Sequence, residues 1–185
     1  RVLFYDKRLS VNDTTACAAC HQQANGFDDP SRFSTGFSGT AFTSAHAMRL
    51  GNIKYYRPGT MFWDKRAASL ELQVSQPIVH PIEMGFDSAH GGISALLTKL
   101  AASTYYPDLF TLAFGNAAIT EARIQQALAQ FARSMISSAS AQVNPSIRTA
   151  RSPRAVAPMR PWSQIFWRIP ISRWACRNRW TATPS

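Results

Sequence analysis

The sequence predicts an all-α fold, because its clearest periodic stretches are helical and none alternates as a strand does. In residues 120–135, apolar side chains recur at spacings of 4, 3 and 4, which is the apolar stripe of an amphipathic helix. A second stripe occupies residues 93–102. The 185 residues contain no alternating apolar and polar run of strand length and no internal repeat. A chain of this length forms one domain, with a core large enough to enclose a prosthetic group.

The first part of the chain is predicted to be mostly loop. Residues 1–9 mix apolar and basic side chains, which fits a short helix or an extended entry. Residues 17–59 are rich in Gly, Ser, Thr and Asn, but their aromatic side chains argue against disorder. We therefore expect a loop that covers a bound group. Asp64 is the expected N-cap of the next helix, which Pro77 ends before a further loop to Phe86.

Three more helices are predicted after that loop. The first covers residues 93–102, with its leucines and isoleucine on one face. Pro107 suits the first turn of a short helix that Gly115 ends. Thr120 is the expected N-cap of the last helix, which carries the 120–135 stripe.

A motif for covalent haem attachment lies near the start of the chain. Cys17-Ala18-Ala19-Cys20-His21, called the CAACH motif below, offers two thiols for thioether bonds and an imidazole for the iron. A structural zinc site would need two further ligands at comparable spacing, and the only other cysteine is Cys176. A thioredoxin-like pair belongs in a strand-rich context, and the flanking residues here are typical of loops. The motif therefore favours a cytochrome c-like haem domain with long loops around the haem, with a chance match in a structural domain as the remaining alternative.

The net charge of +10 is concentrated at one end of the chain. Residues 1–140 carry 12 basic and 10 acidic side chains, whereas residues 141–185 carry 8 arginines and no acid. The basic character therefore gives no reason to assign nucleic-acid binding to the first 140 residues. No apolar run of 18 residues appears, so no membrane span is predicted.

The tail, residues 139–185, differs in composition from the rest. Its last 45 residues hold 4 of the 5 tryptophans and 6 of the 11 prolines, without helical periodicity. It could bind nucleic acid or an anionic membrane, be disordered, or be a folded extension, but it carries no recognisable module. We interpret it as a frame-shifted sequence that stands in place of a second haem domain.

Three stretches occur in a characteristic order: residues 3–10 (LFYDKRLS), the CAACH motif, and residues 61–84, which open with Met-Phe-Trp-Asp-Lys-Arg. Together they resemble the N-terminal haem domain of bacterial di-haem cytochrome c peroxidases and of the related methylamine-utilisation di-haem enzymes. The resemblance covers residues 1–138. It implies that His21 is the proximal ligand of the peroxidatic haem.

The resemblance also implies three pocket residues. Trp63 matches the tryptophan between the two haems that is implicated in electron transfer. Gln73 and Glu83 match the distal-pocket glutamine and glutamate. A positioned carboxylate can move a proton between the oxygens of peroxide, and the apolar neighbours of Glu83 would raise its pKa. Taken alone, a loop glutamate is most often a solvated surface residue, so the spacing from Trp63 and Gln73 is what points to the pocket.

Two features of the haem site stay open at this stage. By residue type, His46, His80 and Met84 are candidates for the sixth iron ligand, and we expect none of them to bind, which leaves the iron open to peroxide. His46 stands near the position of the asparagine that helps to hold an inter-haem calcium in the family. An imidazole is a poor ligand for a hard cation, so we do not expect His46 to hold calcium as the asparagine of the family does. Many relatives have glycine where Lys65 stands.

The resemblance implies a periplasmic enzyme that reduces hydrogen peroxide to water with electrons from a small cytochrome or copper protein. It also implies a homodimer. The chain opens on Arg1 without an initiator Met or an apolar leader, so we expect a mature or clipped product. Because the electron-entry haem is missing, the chain by itself is expected to have reduced activity. The alternatives are a monohaem electron-transfer cytochrome without catalysis and an inert fragment that retains no haem.

Overall fold

The computed structural model describes residues 1–137, and the predictions for residues 139–185 lie outside the described residues. Seven α-helices occur in the described part, in the order α1 (Val2–Tyr5), α2 (Cys17–Cys20), α3 (Leu70–Val74), α4 (Gln76–Val79), α5 (Gly92–Ala101), α6 (Tyr106–Phe114) and α7 (Glu121–Arg133). Within residues 1–137, β-structure is limited to three isolated bridges, so the all-α prediction is confirmed. No helix in this part of the chain is long and apolar enough to cross a membrane.

The last helix organises the core. Its stripe side chains Ile124 and Leu128 are buried, and the helix packs against both α1 and α3. The most deeply buried large side chains come from every part of the fold: Leu9, Ile78, Leu96, Leu100, Tyr106 and Ile124. A smaller cluster, Met61, Ala67, Leu70, Ala129 and Ala132, joins α7 to the segment before α3. The N-terminal half is therefore held to the C-terminal helices by apolar contacts.

The later helices begin and end close to the residues that the sequence predicted. The Thr120 hydroxyl accepts a hydrogen bond from the Arg123 N–H, as expected of an N-cap. Pro107 lies in the first turn of α6, and Gly115 ends that helix with φ 82°, a left-handed conformation that glycine adopts without strain. The helix predicted at 93–102 is α5. Met135 lies beyond the end of α7 but remains buried.

The helix predicted from Asp64 begins later. Its N-cap is Ser69, whose hydroxyl accepts from the Leu72 N–H, whereas the Asp64 carboxylate binds the Arg66 side chain in an exposed turn. Residues 61–67 form a closed turn, because Met61 and Ala67 exchange backbone hydrogen bonds of 2.7 and 3.4 Å. Lys65 in this turn has φ 59°, which explains why glycine suits its position.

Pro77 does not end helical structure, contrary to the prediction. It lies in the first turn of α4, where its missing N–H costs nothing, so the helix continues after a break at Ser75. The predicted loop therefore starts at His80 instead of residue 78.

The 17–59 segment is irregular apart from α2 and short 3₁₀ turns at Gln23–Asn25 and Ile53–Tyr55. One part of it lies directly on the loop after α4. The Phe37 N–H donates to the carbonyl oxygens of Ile82 and Glu83, at 3.2 and 3.0 Å. Gly36 makes this approach possible, because a Cβ there would lie 1.9 Å from the Ile82 carbonyl oxygen.

Replacement of Gly36 by alanine is therefore expected to destabilise the fold. The added methyl would overlap a backbone oxygen that cannot rotate away, at a cost of about 1–3 kcal/mol. Urea unfolding followed by circular dichroism measures the loss. Gly51→Ala is the matched control, since neither glycine has a left-handed φ and the nearest atom to a Cβ at Gly51 is 3.6 Å away. Equal stability of the two variants would contradict the close approach at Gly36.

A second prediction concerns the ion pair between α3 and α7. Arg133 donates to both carboxylate oxygens of Glu71, at 2.5 and 3.0 Å, and these hydrogen bonds lower the pKa of Glu71 in spite of its partial burial. A lowered folded-state pKa adds stability above the unfolded-state pKa, and this stability is lost as pH falls through the folded-state pKa. Glu71→Gln should therefore cost about 1 kcal/mol at pH 7 and little in strong acid. A double-mutant cycle with Arg133→Met at both pH values checks this, and a coupling that does not change with pH would argue against it.

Candidate functional site

The CAACH motif forms a single helical turn. The His21 N–H donates to the Cys17 carbonyl oxygen at 3.0 Å, so the histidine directly follows α2. Cys17 and Cys20 are separated by three positions and therefore share one face of the turn. Both are free thiols, and burial raises the pKa of Cys17 to about 12. The turn presents two thiols and an imidazole to the same neighbourhood.

His21 is partly buried. Desolvation lowers the pKa of its imidazole, opposed by the backbone of Phe27 and the carboxylates of Asp28 and Asp29, so the neutral form is favoured. Its Nδ1 is buried and makes no hydrogen bond within the described residues. A neutral imidazole is the form that binds a metal. Among residues 1–137, no three His, Cys, Asp or Glu side chains gather as a metal-ion site.

The motif lines one side of an apolar cleft. The opposite walls come from α1, α3, α7 and the loop after α4, and the apolar lining residues are Phe4, Ala16, Leu50, Leu70, Val74, Pro77, Met84, Leu128 and Ala132. Four polar residues line it beside the thiols: Thr15, His21, Gln73 and Glu83. Met84 is nearly fully buried in this wall.

A more polar cleft joins the apolar one. It shares Cys20, His21, Gln73 and Glu83 with the apolar cleft. Its other polar lining residues are Ser34, Thr43, Ser44, His46, Trp63, Arg66 and His80. Glu83 therefore lies where an apolar chamber meets a polar passage.

Glu83 has an environment that favours its protonated form. Burial raises the pKa of its carboxyl, while the nearby His80 ring and Arg66 guanidinium act against this rise. Its Oε1 is 3.6 Å from His80 Nδ1, too far for a hydrogen bond. Within the described residues, its carboxylate accepts no hydrogen bond, which leaves it available to a ligand in the cleft.

The side-chain amide of Gln73 is also available to a bound molecule. The residue is 9% exposed on α3, and its backbone N–H donates to Ser69. Its side-chain amide makes no hydrogen bond to any described residue and lines both clefts. A nearly buried amide without a protein partner can donate to, or accept from, a bound molecule.

Trp63 lies at the outer end of the polar cleft, at the tip of the 61–67 turn. Its side chain is 68% exposed, and its indole N–H donates to the His46 carbonyl oxygen at 2.9 Å. It also lines a surface groove with Tyr55, Tyr56 and Gln73. The structure thus brings Gln73 and Glu83 to the CAACH motif and leaves Trp63 at the rim.

The candidate sixth ligands differ in their availability. Both ring nitrogens of His46 are engaged, Nδ1 with the Ser31 and Arg32 carbonyl oxygens and Nε2 with the Asp28 carboxylate. The Arg32 carbonyl and Asp28 raise the pKa of His46. His80 Nδ1 accepts hydrogen bonds from two backbone N–H groups, so only its Nε2 is uncommitted.

Two contributors to the site were missed from the sequence. Arg66 lines the polar cleft near Glu83, and its guanidinium stacks on the Phe62 ring with 3.5 Å from Cζ to the ring centroid. Gly36 allows a second loop to contact the Glu83 backbone. Arg66 belongs to the Met-Phe-Trp-Asp-Lys-Arg stretch but was assigned no role at the site, and a single glycine in a glycine-rich loop gives no signal of a contact 46 residues away.

The residues present fit a covalently bound haem. Two thiols on one helical turn, a neutral imidazole beside them and an apolar cleft in front of them match the donors and surroundings that a c-type haem requires. The cysteines would anchor the ring, and His21 would bind the iron.

Comparison with known proteins agrees with this fit. The sequence model of the family described as di-haem cytochrome c peroxidase matches residues 1–143. The chain belongs to that family. It is 34% identical over 138 residues to the methylamine utilization protein MauG of Methylophilus methylotrophus, covering 74% of this chain and 38% of that protein. It is 31% identical over 134 residues to the cytochrome c peroxidase Ccp of Escherichia coli K12, covering 72% of this chain and 27% of that protein.

Solved structures show the same fold. A MauG-like protein associated with microbial copper homeostasis aligns with a TM-score of 0.67 at 32% identity, over 81% of this chain and 43% of that one. The diheme peroxidase BthA of Burkholderia thailandensis, as its Y463M variant, aligns with a TM-score of 0.58 at 21% identity, over 84% of this chain and 42% of that one. The chain thus spans less than half the length of these relatives. The expectation that the chain belongs to this family is confirmed.

Haem attachment should depend on the two motif cysteines. After periplasmic expression with a cytochrome c maturation system, haem should stay on the wild-type chain through acidic acetone extraction, because thioether bonds survive it. The Cys17→Ser/Cys20→Ser variant should lose its haem, as measured by the pyridine haemochrome assay. Cys176→Ser is the matched control and should keep it. Extraction-resistant haem in the double variant would contradict attachment at the motif.

Proposed function

We propose that residues 1–138 form a peroxidatic haem domain that reduces hydrogen peroxide to water through one haem c attached at the CAACH motif. One observation carries the proposal. Gln73 and Glu83, two polar side chains without hydrogen-bond partners among the described residues, line the same apolar cleft as His21. Polar side chains that line a cleft without a hydrogen-bond partner in the protein are free to bind a polar ligand there.

Peroxide reduction consumes two electrons and two protons and yields two waters. A haem bound through His21 supplies the redox-active iron at which peroxide is reduced. Glu83 in its ionised form takes a proton from one peroxide oxygen and returns it to the other, so that the departing oxygen leaves as water. A positioned carboxylate contributes on the order of 10²- to 10⁴-fold to such a proton transfer.

The other pocket residues take supporting roles. The Gln73 amide orients peroxide or a water toward Glu83. The polar cleft, which runs outward past Arg66 and His80, supplies protons from solvent to Glu83. Trp63 passes electrons inward, and its exposure at the rim suits a residue that receives them from another redox centre. The engaged ring nitrogens of His46 support a sixth position open to peroxide.

The electron donor is a small cytochrome or copper protein, and the location is the periplasm, where haem is attached to such motifs. A homodimer is proposed from the family alone. The proposal includes no calcium site, since the nitrogens of His46 are turned toward residues 28–32.

Replacement of Glu83 by glutamine should abolish most peroxide reactivity and leave the haem in place. Stopped-flow absorption with hydrogen peroxide should show a rate about 10²- to 10⁴-fold below that of the wild-type protein, because the amide cannot accept the proton. The wild-type rate should rise with pH through a Glu83 pKa that lies above the ordinary carboxyl value, and this rise should be absent in the variant. Glu121→Gln, a substitution at the start of α7 and outside both clefts, is the control.

The spin state of the ferric haem separates this proposal from an electron carrier. A high-spin EPR signal with reactivity toward peroxide is expected. A low-spin, unreactive haem would indicate a monohaem electron-transfer cytochrome and would overturn the proposal.

A further inference from the structure

The loop after α4 is organised by His80. Its backbone N–H donates to the Pro77 carbonyl oxygen at the end of α4, and its carbonyl oxygen accepts from Gly85 at 3.0 Å. Its side-chain Nδ1 accepts from the N–H groups of Ile82 and Glu83, both at 3.3 Å. His80 is therefore bonded to the end of α4 at one point and to the loop that carries Glu83 at three.

The side-chain bonds follow a known local pattern. A side-chain acceptor that binds the N–H groups two and three residues later is typical of asparagine, aspartate and serine in turns and at helix N-caps. In His80, Nδ1 takes the place of the asparagine Oδ1, since both atoms are three bonds from Cα. A nitrogen that accepts must carry a lone pair, so the neutral ring has its proton on Nε2.

The peptide group between Ile82 and Glu83 is bonded on both sides. Its N–H, on Glu83, donates to His80 Nδ1, and its carbonyl, on Ile82, accepts from the Phe37 N–H at 3.2 Å. A peptide group held at both ends cannot rotate without breaking two hydrogen bonds. The direction in which the Glu83 side chain leaves the backbone is fixed by these contacts.

We propose that His80 is a positioning residue, which fixes the Glu83 carboxylate in the cleft by capping the Ile82 and Glu83 N–H groups, and is not an iron ligand. The effect of His80 on catalysis rests on the proposed role of Glu83. The cap, which is the pair of hydrogen bonds that Nδ1 accepts, does not depend on that role. The same geometry keeps Glu83 free, because the facing Nδ1 lone pair has no proton to donate to the carboxylate 3.6 Å away. His80 thus orders the backbone of Glu83 and leaves its side chain to a ligand.

Two variants test the cap. His80→Ala removes the acceptor, and His80→Asn restores an acceptor in the same place but offers no imidazole. Amide hydrogen exchange of residues 82 and 83, measured by NMR, should be roughly tenfold faster in His80→Ala and close to wild type in His80→Asn. Failure of His80→Asn to restore protection would overturn the proposal.

The haem-loaded protein gives two further readouts. The rate of reaction with peroxide should fall roughly tenfold in His80→Ala and recover in His80→Asn. In a Glu83→Gln background, His80→Ala should cause no further loss, because it acts through Glu83. The ferric EPR spectrum should be the same in the wild type, His80→Ala and His80→Asn. A change from low spin in the wild type to high spin in both His80 variants would identify His80 as an iron ligand and overturn the proposal.

Different results would overturn the proposed function and the proposed His80 cap. If exchange follows the expected pattern but wild-type haem protein does not react with peroxide, the proposed function is wrong and the cap stands. If peroxide reacts normally but exchange at residues 82 and 83 is unchanged in His80→Ala, the cap is wrong and the function stands.

Discussion

Phe37 and His80 bind opposite sides of the Ile82–Glu83 peptide, at 3.2 and 3.3 Å. These hydrogen bonds hold the loop that forms the cleft wall opposite the CAACH turn. That wall is fixed by contacts between loops and not by a long helix. It depends on Gly36, because any side chain there would meet the Ile82 carbonyl. The position of Glu83 relative to His21 is therefore a property of two loops pressed together and not of either loop alone.

The cleft combines apolar walls with polar groups that the protein does not satisfy. Some buried polar side chains of the described fold are paired within the protein, such as Ser34, whose hydroxyl donates to the Asp29 carboxylate at 2.6 Å. Gln73 and Glu83 have no side-chain hydrogen-bond partner among the described residues, and they line one cleft with His21, whose Nδ1 is buried and also unpaired. Unpaired polar groups in such a setting lower stability, which is the usual cost of keeping a site ready for a ligand. For Glu83 the same burial also raises the pKa, so stability is exchanged for a carboxyl that can carry a proton.

What the sequence predicted well was local. The hydroxyl of Thr120, the ring of Pro107 and the left-handed Gly115 act within one turn, so α6 and α7 were predicted correctly. The start of α3 was wrong, because Asp64 is used by Arg66 in the 61–67 turn and Ser69 is the cap. The CAACH motif and the presence of Gln73 and Glu83 in one cleft were also anticipated. The contact at Gly36 and the cap at His80 were not, since they need the folded path of two separate loops.

Gln73 connects the parts of the site, because it lines the apolar cleft, the polar cleft and the groove beside Trp63. On the proposed function, electrons enter at Trp63, and protons reach Glu83 along the polar cleft that Trp63 also lines. Trp63 lies at an exposed rim bordered by Tyr55 and Tyr56, where a second redox centre can approach. Glu83 lies at the inner end of a polar passage that admits water. The Glu83 carboxyl is only partly buried, so its burial raises its pKa while the polar cleft still connects it to the protein surface.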